Sequence, residues 1–393
     1  MPEAVSVSTA RTPIGRAFKG SLKDVRPDDL AAGVISAAMG KLDGFDPATL
    51  DDIYLGCAEP RDEHGGNMAR RVAVQLGLDG GGAATINRFC ASSVQTARMA
   101  FHAIKAGEGD AFVTAGVDPA DTQNPLFAEA VARTQATAES NAVWHDPRED
   151  GLLPDVYIAM GQTAENVATS RGIGRAEQDA FGVRSQNLAE QAIADGVFAD
   201  EIAPVTLPDG TVVSTDDGPR AGTTLEGVSG LKPVFRPDGT VTAGNCCPLN
   251  DGAAAVVIMS DTRAKELGLT PLARIVATGV SGLSPEIMGM GPVEASRRAL
   301  AGAGLTIGDI GLVEINEAFA VQVIASYQDL GIDIDRLNVH GGAIALGHPF
   351  GSTGARIMTT LLNGMRRRDV EFGLETMCVG GGQGMGIVLQ RLA

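Results

Sequence analysis

The chain has 393 residues, 44% of them apolar and only 4% aromatic, with 51 glycines and a formal net charge of −17. That length exceeds what one hydrophobic core usually supports, so two or three subdomains are expected. The acidity argues against nucleic acid and anionic membranes as partners, and no apolar run is long enough for a membrane span. An anionic ligand would have to be held by helix N-termini and single Arg or Lys residues. The opening Met1-Pro2-Glu3-Ala4-Val5-Ser6 lacks the basic and apolar regions of a signal peptide, which points to a soluble, cytoplasmic protein. The five cysteines, Cys57, Cys90, Cys246, Cys247 and Cys378, are irregularly spaced and form no C-x-x-C pair. Neither a disulfide framework nor a cysteine metal motif is expected, and each thiol is either core or chemistry.

In chain order, residues 4–7 read as a strand and Arg11-Thr12-Pro13-Ile14-Gly15 as the turn leaving it. Residues 27–39 carry Leu30, Val34 and Ala38 on one helical face, and 53–55 form a short buried strand ending at Gly56. A helix follows over 68–76, then a strand end at 83–86. Next comes Asn87-Arg88-Phe89-Cys90-Ala91-Ser92-Ser93. Ser92 and Ser93 are helix-start residues, Val94, Ala97, Phe101 and Ile104 recur at helical spacing, and Gly107 supplies the stop. Residues 111–115 are another apolar strand closed by Gly116. Strand and helix thus alternate in a doubly wound pattern. Cys90 sits where a strand turns into a helix N-terminus, whose free N–H groups and dipole favour a thiolate. It is a candidate carrier of a covalent intermediate, with a small buried core thiol as the competing reading.

From 118 to 245 the texture changes. Helices are expected at 160–171 and 176–196, separated by loops rich in Pro, Gly and charge such as 208–220. This reads as an inserted, lid-like segment with a binding role. After Asn250-Asp251-Gly252, residues 253–259 are a strand or helix start. Residues 273–279 and 312–315 are strands, 292–302 and 352–366 helices, and Asn316-Glu317-Ala318-Phe319-Ala320 opens another helix. Residues 377–379 and 385–389 form a hairpin across a glycine turn. The order around 90–116 recurs around 351–380, which suggests two similar doubly wound halves back to back. The expected division is 1–118 continued by 249–270, an insertion at 119–248, and 271–393.

Three stretches join Cys90 as candidates. His348, between Gly347 and Pro349, lies on a loop of restricted backbone and could take a proton from a thiol; a structural His is the alternative. Cys378, just before Gly380-Gly381-Gly382, lies beside bare N–H groups that could hold an oxyanion, and its thiol could move a proton to or from carbon; a buried strand Cys is the alternative. Asn316 could position a water, or simply cap a helix.

Together these stretches resemble the thiolase family nearly end to end. The resemblance rests on Arg11-Thr12-Pro13-Ile14-Gly15, Cys90-Ala91-Ser92-Ser93, Thr163-Ala164-Glu165-Asn166-Val167-Ala168 and Asn250-Asp251-Gly252-Ala253-Ala254. It rests equally on Asn316-Glu317-Ala318-Phe319-Ala320, on the run from Gly341 to Pro349, and on Cys378-Val379-Gly380-Gly381-Gly382. It implies an α/β fold of five α/β/α/β/α layers, built of two similar doubly wound halves plus an inserted loop domain covering coenzyme A. It implies an acyltransferase that cleaves 3-ketoacyl-CoA with CoA, or runs the reverse condensation, through an acyl-Cys90 intermediate. In that scheme His348 takes the proton of Cys90 and lines one oxyanion site with a water held by Asn316. Cys378 serves the α-carbon, and the N–H groups of Cys90 and Gly380 form the second oxyanion site. Arg220 would meet the nucleotide end of CoA. Met160, Leu231, Phe235, Met288, Ala318 and Phe319 would line the pantetheine tunnel, where Cys247 stands in place of a serine. CoA or acetyl-CoA is then a substrate and no tightly bound cofactor or metal is implied; a homo-dimer or homo-tetramer is.

The chain departs from the family pattern at Val117-Asp118-Pro119-Ala120-Asp121, at Cys246-Cys247-Pro248, at His340, and at Ala159, where short-chain biosynthetic members often carry a His. The last argues against specificity for acetoacetyl-CoA and leaves room for a longer acyl chain. An acetoacetyl-CoA-specific biosynthetic enzyme, and a non-catalytic acyl-CoA-binding protein, remain as alternatives. A decarboxylating ketosynthase is disfavoured by Cys378, and a cysteine hydrolase by the length of the motifs.

Overall fold

A computed structural model describes residues 1–118 and 143–393. The first part of the expected insertion, with Pro119, Ala120 and Asp121 of the departing run, lies outside the described residues. The described strands include a mixed nine-stranded sheet, in the order Leu312–Ile315, Phe372–Val379, Gln383–Arg391, Ala273–Gly282, Ala4–Arg11, Ala253–Ser260, Ala111–Val117, Asp52–Gly56 and Gly82–Ile86. Asp52–Gly56 runs parallel to both Gly82–Ile86 and Ala111–Val117, and Leu312–Ile315 parallel to Phe372–Val379. The run Ala253–Ser260, ambiguous in the sequence, is a strand buried at every position. A continuous apolar stretch is what a strand covered on both faces requires.

Two halves share this sheet and meet at one corner, where Ala4–Arg11 and Ala273–Gly282 pair only at Val5↔Arg274 and Ser6↔Ala273. Register breaks at Ser6/Ser8 and Ile275/Ala277 lie beside the corner, and such bulges bend and twist the strands that carry them. The halves enclose a central helical layer, Ser92–Ala106 packed on Thr353–Arg367. Side chains of both helices join Val256 and Ile258 from one half, and Met377, Ile387 and Leu389 from the other, in one apolar cluster. The opposite faces are covered separately. Pro27–Met39 and Met68–Gln75 pack over Val257 and Met259, and Gly291–Ala303 packs over Leu374 and Val388. Helix, sheet, helix, sheet, helix are the five layers expected.

The described part of the 119–248 segment adds the helices Met160–Arg171 and Arg175–Ala194 and the short turn Leu225–Ser229, none of them within the nine strands. Most expected boundaries hold within a few residues. Two do not: the hairpin strand expected at 377–379 already begins at Phe372, and the helix expected to open at Asn316 begins at Ala320 and runs to Leu330. Ala320 N–H donates to Asn245 O at 2.8 Å, and Asn316 N–H donates to Thr376 O at 3.0 Å, so the intervening backbone is tied to other segments. Among the described residues no helix is long and apolar enough to cross a membrane.

The central layer meets the strand ends at glycines. A Cβ built on Gly116 would lie 2.0 Å from the carbonyl oxygen of Gly351, and one on Gly56 would lie 2.7 Å from the backbone of Ser92 and Ser93. Gly116→Ala is therefore expected to cost about 1–3 kcal/mol through forced backbone displacement. Gly33→Ala, on a helix face with nothing within 4 Å, should stabilise by about 0.5–1 kcal/mol. Thermal midpoints of the two variants should move in opposite directions.

Candidate active site

The chemistry-bearing residues follow the C-terminal ends of parallel strands, the usual place for ligand sites in open α/β sheets. Cys90 follows Gly82–Ile86, Asn316 follows Leu312–Ile315, and Cys378 and Gly380 close Phe372–Val379. Cys90 lies in the single 3-10 turn Phe89–Ala91 that leads into helix Ser92–Ala106. The turn is held locally. Phe89 N–H donates to Asn87 Oδ1 at 2.8 Å, Arg88 N–H to Ser92 Oγ at 2.9 Å, and Ser92 Oγ–H to Phe89 O at 2.6 Å. Ser92 therefore braces the loop and does not cap the helix as expected; Ala91 occupies the cap position. Phe89 takes a left-handed φ of 44°, a strained conformation for a residue with a side chain. It falls immediately before the nucleophile candidate.

Arg88, not singled out from the sequence, bridges this turn to the glycine turn of the other half. Its Nη1 donates to Gln383 Oε1 at 2.9 Å and its Nε to Gln95 Oε1 at 3.0 Å, while Gln383 Nε2 donates to Gly380 O at 3.3 Å. Gly380 N–H in turn donates to the Cys90 sulfur. Only an Arg planted before a Cys hints at this in the sequence, and its partner lies nearly three hundred positions away.

Cys90 is half-buried. Burial pushes its thiol up to about 11, against the pull of the Gly380 and Cys90 N–H groups; Asp118 adds a further push. The helix N-terminus thus does not leave a resting thiolate, as expected from the loop alone. Desolvation wins, and the thiol needs a base. Cys378 is fully buried and raised further by burial and by proximity to Cys90. Cys247 feels Cys90 and Cys378 as well as its neighbour Cys246, so it stands close to both of those sulfurs.

His348 is 2% exposed. Its N–H donates to Asn250 Oδ1 at 3.0 Å, its Nδ1 lies 2.7 Å from Thr353 Oγ1, and its Nε2 lies 3.2 Å from Asn316 Nδ2. Thr353 Oγ1 is also 2.8 Å from Pro349 O. A carbonyl only accepts, so the Thr353 hydroxyl proton goes to Pro349 O and the Thr353 lone pair receives Nδ1–H. That assignment leaves the Nε2 lone pair as the basic position. Burial first, then the positive charge of Arg356, hold this imidazole down to about 3, so it is neutral. Asn316 is 1% exposed, and its Oδ1 has no hydrogen-bond partner among the described residues. A buried carbonyl oxygen in that state suits a water or a ligand donor.

The expected tunnel residues fall into two groups. Met288, Ala318 and Phe319 are buried in the same apolar cluster as Cys378, and Met160 and Phe235 pack against it. The Phe235 and Phe319 rings meet edge to face at 6.1 Å, and Gly161 lies under the Phe235 ring. Met160 Sδ reaches within 3.9 Å of a Cβ built on Gly380, and Cys247 N–H donates to Ala318 O at 3.0 Å. Leu231 and Arg220, by contrast, are exposed on the inserted segment. Arg220 N–H donates to Gln186 Oε1 at 2.9 Å.

Against known proteins, residues 4–262 match the family described as Thiolase, N-terminal domain, and residues 269–391 match Thiolase, C-terminal domain. The chain is 44% identical to a 3-ketoacyl-CoA thiolase of Bacillus subtilis over 98% of each chain. It is also 44% identical to an acetyl-CoA acetyltransferase of Cupriavidus necator over the whole of both. Among solved structures, the acetyl-CoA acetyltransferase of Bacillus anthracis superposes with a TM-score of 0.88 at 39% identity, covering 100% of this chain and 99% of that one. Human mitochondrial 3-ketoacyl-CoA thiolase in complex with CoA superposes with a TM-score of 0.87 at 36% identity, covering 99% and 98%.

Two outcomes test the geometry. An unfolded histidine titrates near 6.5, whereas folded His348 stays neutral to about 3. The unfolded chain therefore binds more protons in that window, and stability falls as pH drops from about 6.5. His348→Gln should flatten the fall of thermal midpoint between pH 7 and 5, by at most about 1.4 kcal/mol per pH unit. Thr353→Val should release the tautomer and slow acylation of Cys90 about 10- to 100-fold, while Thr353→Ser retains it. Equal rates in both variants would remove Thr353 from this role.

Proposed function

The chain belongs to the thiolase family, and from that premise we propose the following division of labour among its residues. The protein is an acyltransferase of the thiolase class, and coenzyme A serves as its substrate. The Cys90 sulfur attacks the 3-keto carbonyl of a 3-ketoacyl-CoA, and the thiol proton passes to His348 Nε2. The oxygen that becomes negative is met by N–H groups or by a water held at Asn316. The bond between C2 and C3 then breaks, leaving the acyl group on Cys90 and the electron pair on the enolate of acetyl-CoA. Cys378 donates a proton to that carbon. A second CoA thiol passes its proton to the Cys378 thiolate and attacks acyl-Cys90; acyl-CoA leaves, and His348 returns its proton to the Cys90 sulfur. Read backwards, the same steps condense two acyl-CoA molecules.

The observation that carries this reading is the convergence of Gly380 N–H on the Cys90 sulfur, with Cys378 beside it. The neutral His348–Asn316 pair has a free Asn oxygen, which completes the set. A neutral imidazole accepts a proton where an imidazolium could not, and a buried, protonated thiol is fit to donate to carbon. The apolar tunnel of Met160, Phe235, Met288, Ala318 and Phe319 suits the thin pantetheine arm, and Arg220, on the surface of residues 119–248, would meet the nucleotide end. In this reading 119–248 covers CoA, between halves formed by 1–118 with 249–270 and by 271–393. Ala159, small and ahead of Met160, leaves room for acyl chains longer than acetoacetyl. The half-exposed outer strand Gly82–Ile86 offers an edge to a second copy, in support of a homo-dimer or homo-tetramer. Five free cysteines fit a reducing, cytoplasmic compartment.

Intact mass spectrometry after incubation with acetyl-CoA should show one acetyl group on the wild-type chain and none on Cys90→Ala. Cys378→Ala should still acylate while losing about 10²–10⁴ in carbon–carbon cleavage. Unchanged turnover in that variant would take the proton-transfer role away from Cys378. Asn316→Ala should cost about 3 kcal/mol in the barrier with little change in KM.

A further inference from the structure

Behind the Cys90 loop lies a second group of chemistry-bearing side chains that the acyl-transfer reaction does not use. Cys57 ends the strand Asp52–Gly56, Asp118 follows Ala111–Val117, and His64 closes the 3-10 turn Asp62–His64. All three are buried, at 0%, 3% and 6% exposure. The Cys57 sulfur, a ring nitrogen of His64 and a carboxylate oxygen of Asp118 all lie within 4.8 Å of one another. We propose that Cys57, His64 and Asp118 form a binding site for a divalent transition-metal ion of the zinc class.

Three observations support the assignment. The donor set of one sulfur, one imidazole nitrogen and one carboxylate oxygen is of the kind zinc-class ions select. Around a tetrahedral ion such donors stand about 3.5 Å apart, so the trio closes on an ion by movements of about 1 Å. Asp118 is a buried carboxylate, and among the described residues no Arg or Lys forms an ion pair with it. Such a carboxyl either keeps its proton or gives it up to a bound cation. The carboxylate is also already aimed. Its Oδ2 accepts from Ala58 N–H at 3.0 Å and from Gly351 N–H at 2.9 Å, the outer hydrogen bonds that orient a ligand. Binding converts the Cys57 thiol to a thiolate and releases its proton to solvent, with no change in oxidation state. Three protein donors leave one position for water. Because Gly351 lies three residues beyond His348, the ion would stiffen the loop bearing the base while taking no part in acyl transfer.

The test is a Co2+ titration of the full chain after treatment with a chelator. Cys90, Cys246, Cys247 and Cys378 are also thiols, so the titration is made in a Cys90→Ala, Cys246→Ala, Cys247→Ala, Cys378→Ala background. The expected result is one Co2+ per chain, a near-ultraviolet thiolate-to-cobalt charge-transfer band, and a higher thermal midpoint. Adding Cys57→Ser should abolish the band, and adding His64→Gln or Asp118→Asn should weaken binding at least about tenfold. No stoichiometric ion, or a band that survives Cys57→Ser, overturns the proposal. Should the quadruple variant fold poorly, X-ray absorption on the zinc-loaded wild-type chain gives the same decision. One sulfur per ion supports the site, and two or more sulfurs overturn it.

Discussion

The loop bearing Cys90 and the loop bearing His348 can meet because backbones touch with no side chain between them. Gly116 abuts the carbonyl of Gly351, and Gly56 abuts Ser92 and Ser93. These contacts join the C-terminal ends of one half-sheet to the first turns of both central helices. A single methyl group at either of them would push the two loops apart by a distance comparable to a hydrogen bond's tolerance. The many glycines and few aromatics have here a concrete use. The centre of the molecule is assembled by close backbone approach, and bulk is confined to the apolar clusters on either side.

Within that frame, burial sets the chemistry more than local dipoles do. The Cys90 thiol is raised, the His348 imidazole is lowered, and both are therefore neutral at rest. A neutral pair is cheap to desolvate, and the proton stays on sulfur. Arg356, itself buried, reinforces the neutrality of His348 and is drawn electrostatically by the buried carboxylates of Glu314 and Glu201. The Thr353 hydroxyl adds direction, committing Nδ1 as the donor so that Nε2 carries the lone pair, turned toward Asn316 Nδ2. Electrostatics, tautomer and backbone packing thus converge on one arrangement from three independent sources.

Much of this was legible in the sequence because it is local. The strand–turn–helix around Cys90, the αL stop at Gly107 and the helix 27–39 follow from periodicity and capping over a few residues, and the helix matches Pro27–Met39. The features that escaped are long-range. Asn316 reads as a helix start, but Ala320 is claimed by Asn245 and the first turn never forms at 316. Arg88 draws no reading of its own, because Gln383 opposite it is distant in the chain. Thr353 is an ordinary helical residue unless the Pro349 turn is known to place its hydroxyl on His348. Cys90 reads as an activated thiol because helix ends are visible in a sequence and desolvation is not. The motifs that matched a family carried the rest, because they encode these distant pairings without displaying them.

The high proton affinity of the Cys90 sulfur has a consequence for how the protein endures its surroundings. Peroxides and electrophiles attack sulfur as the anion, and with a value near 11 only about one Cys90 in ten thousand is ionised at pH 7. The other four cysteines are pushed in the same direction. A chain with five unpaired sulfurs is in this way chemically quiet at rest.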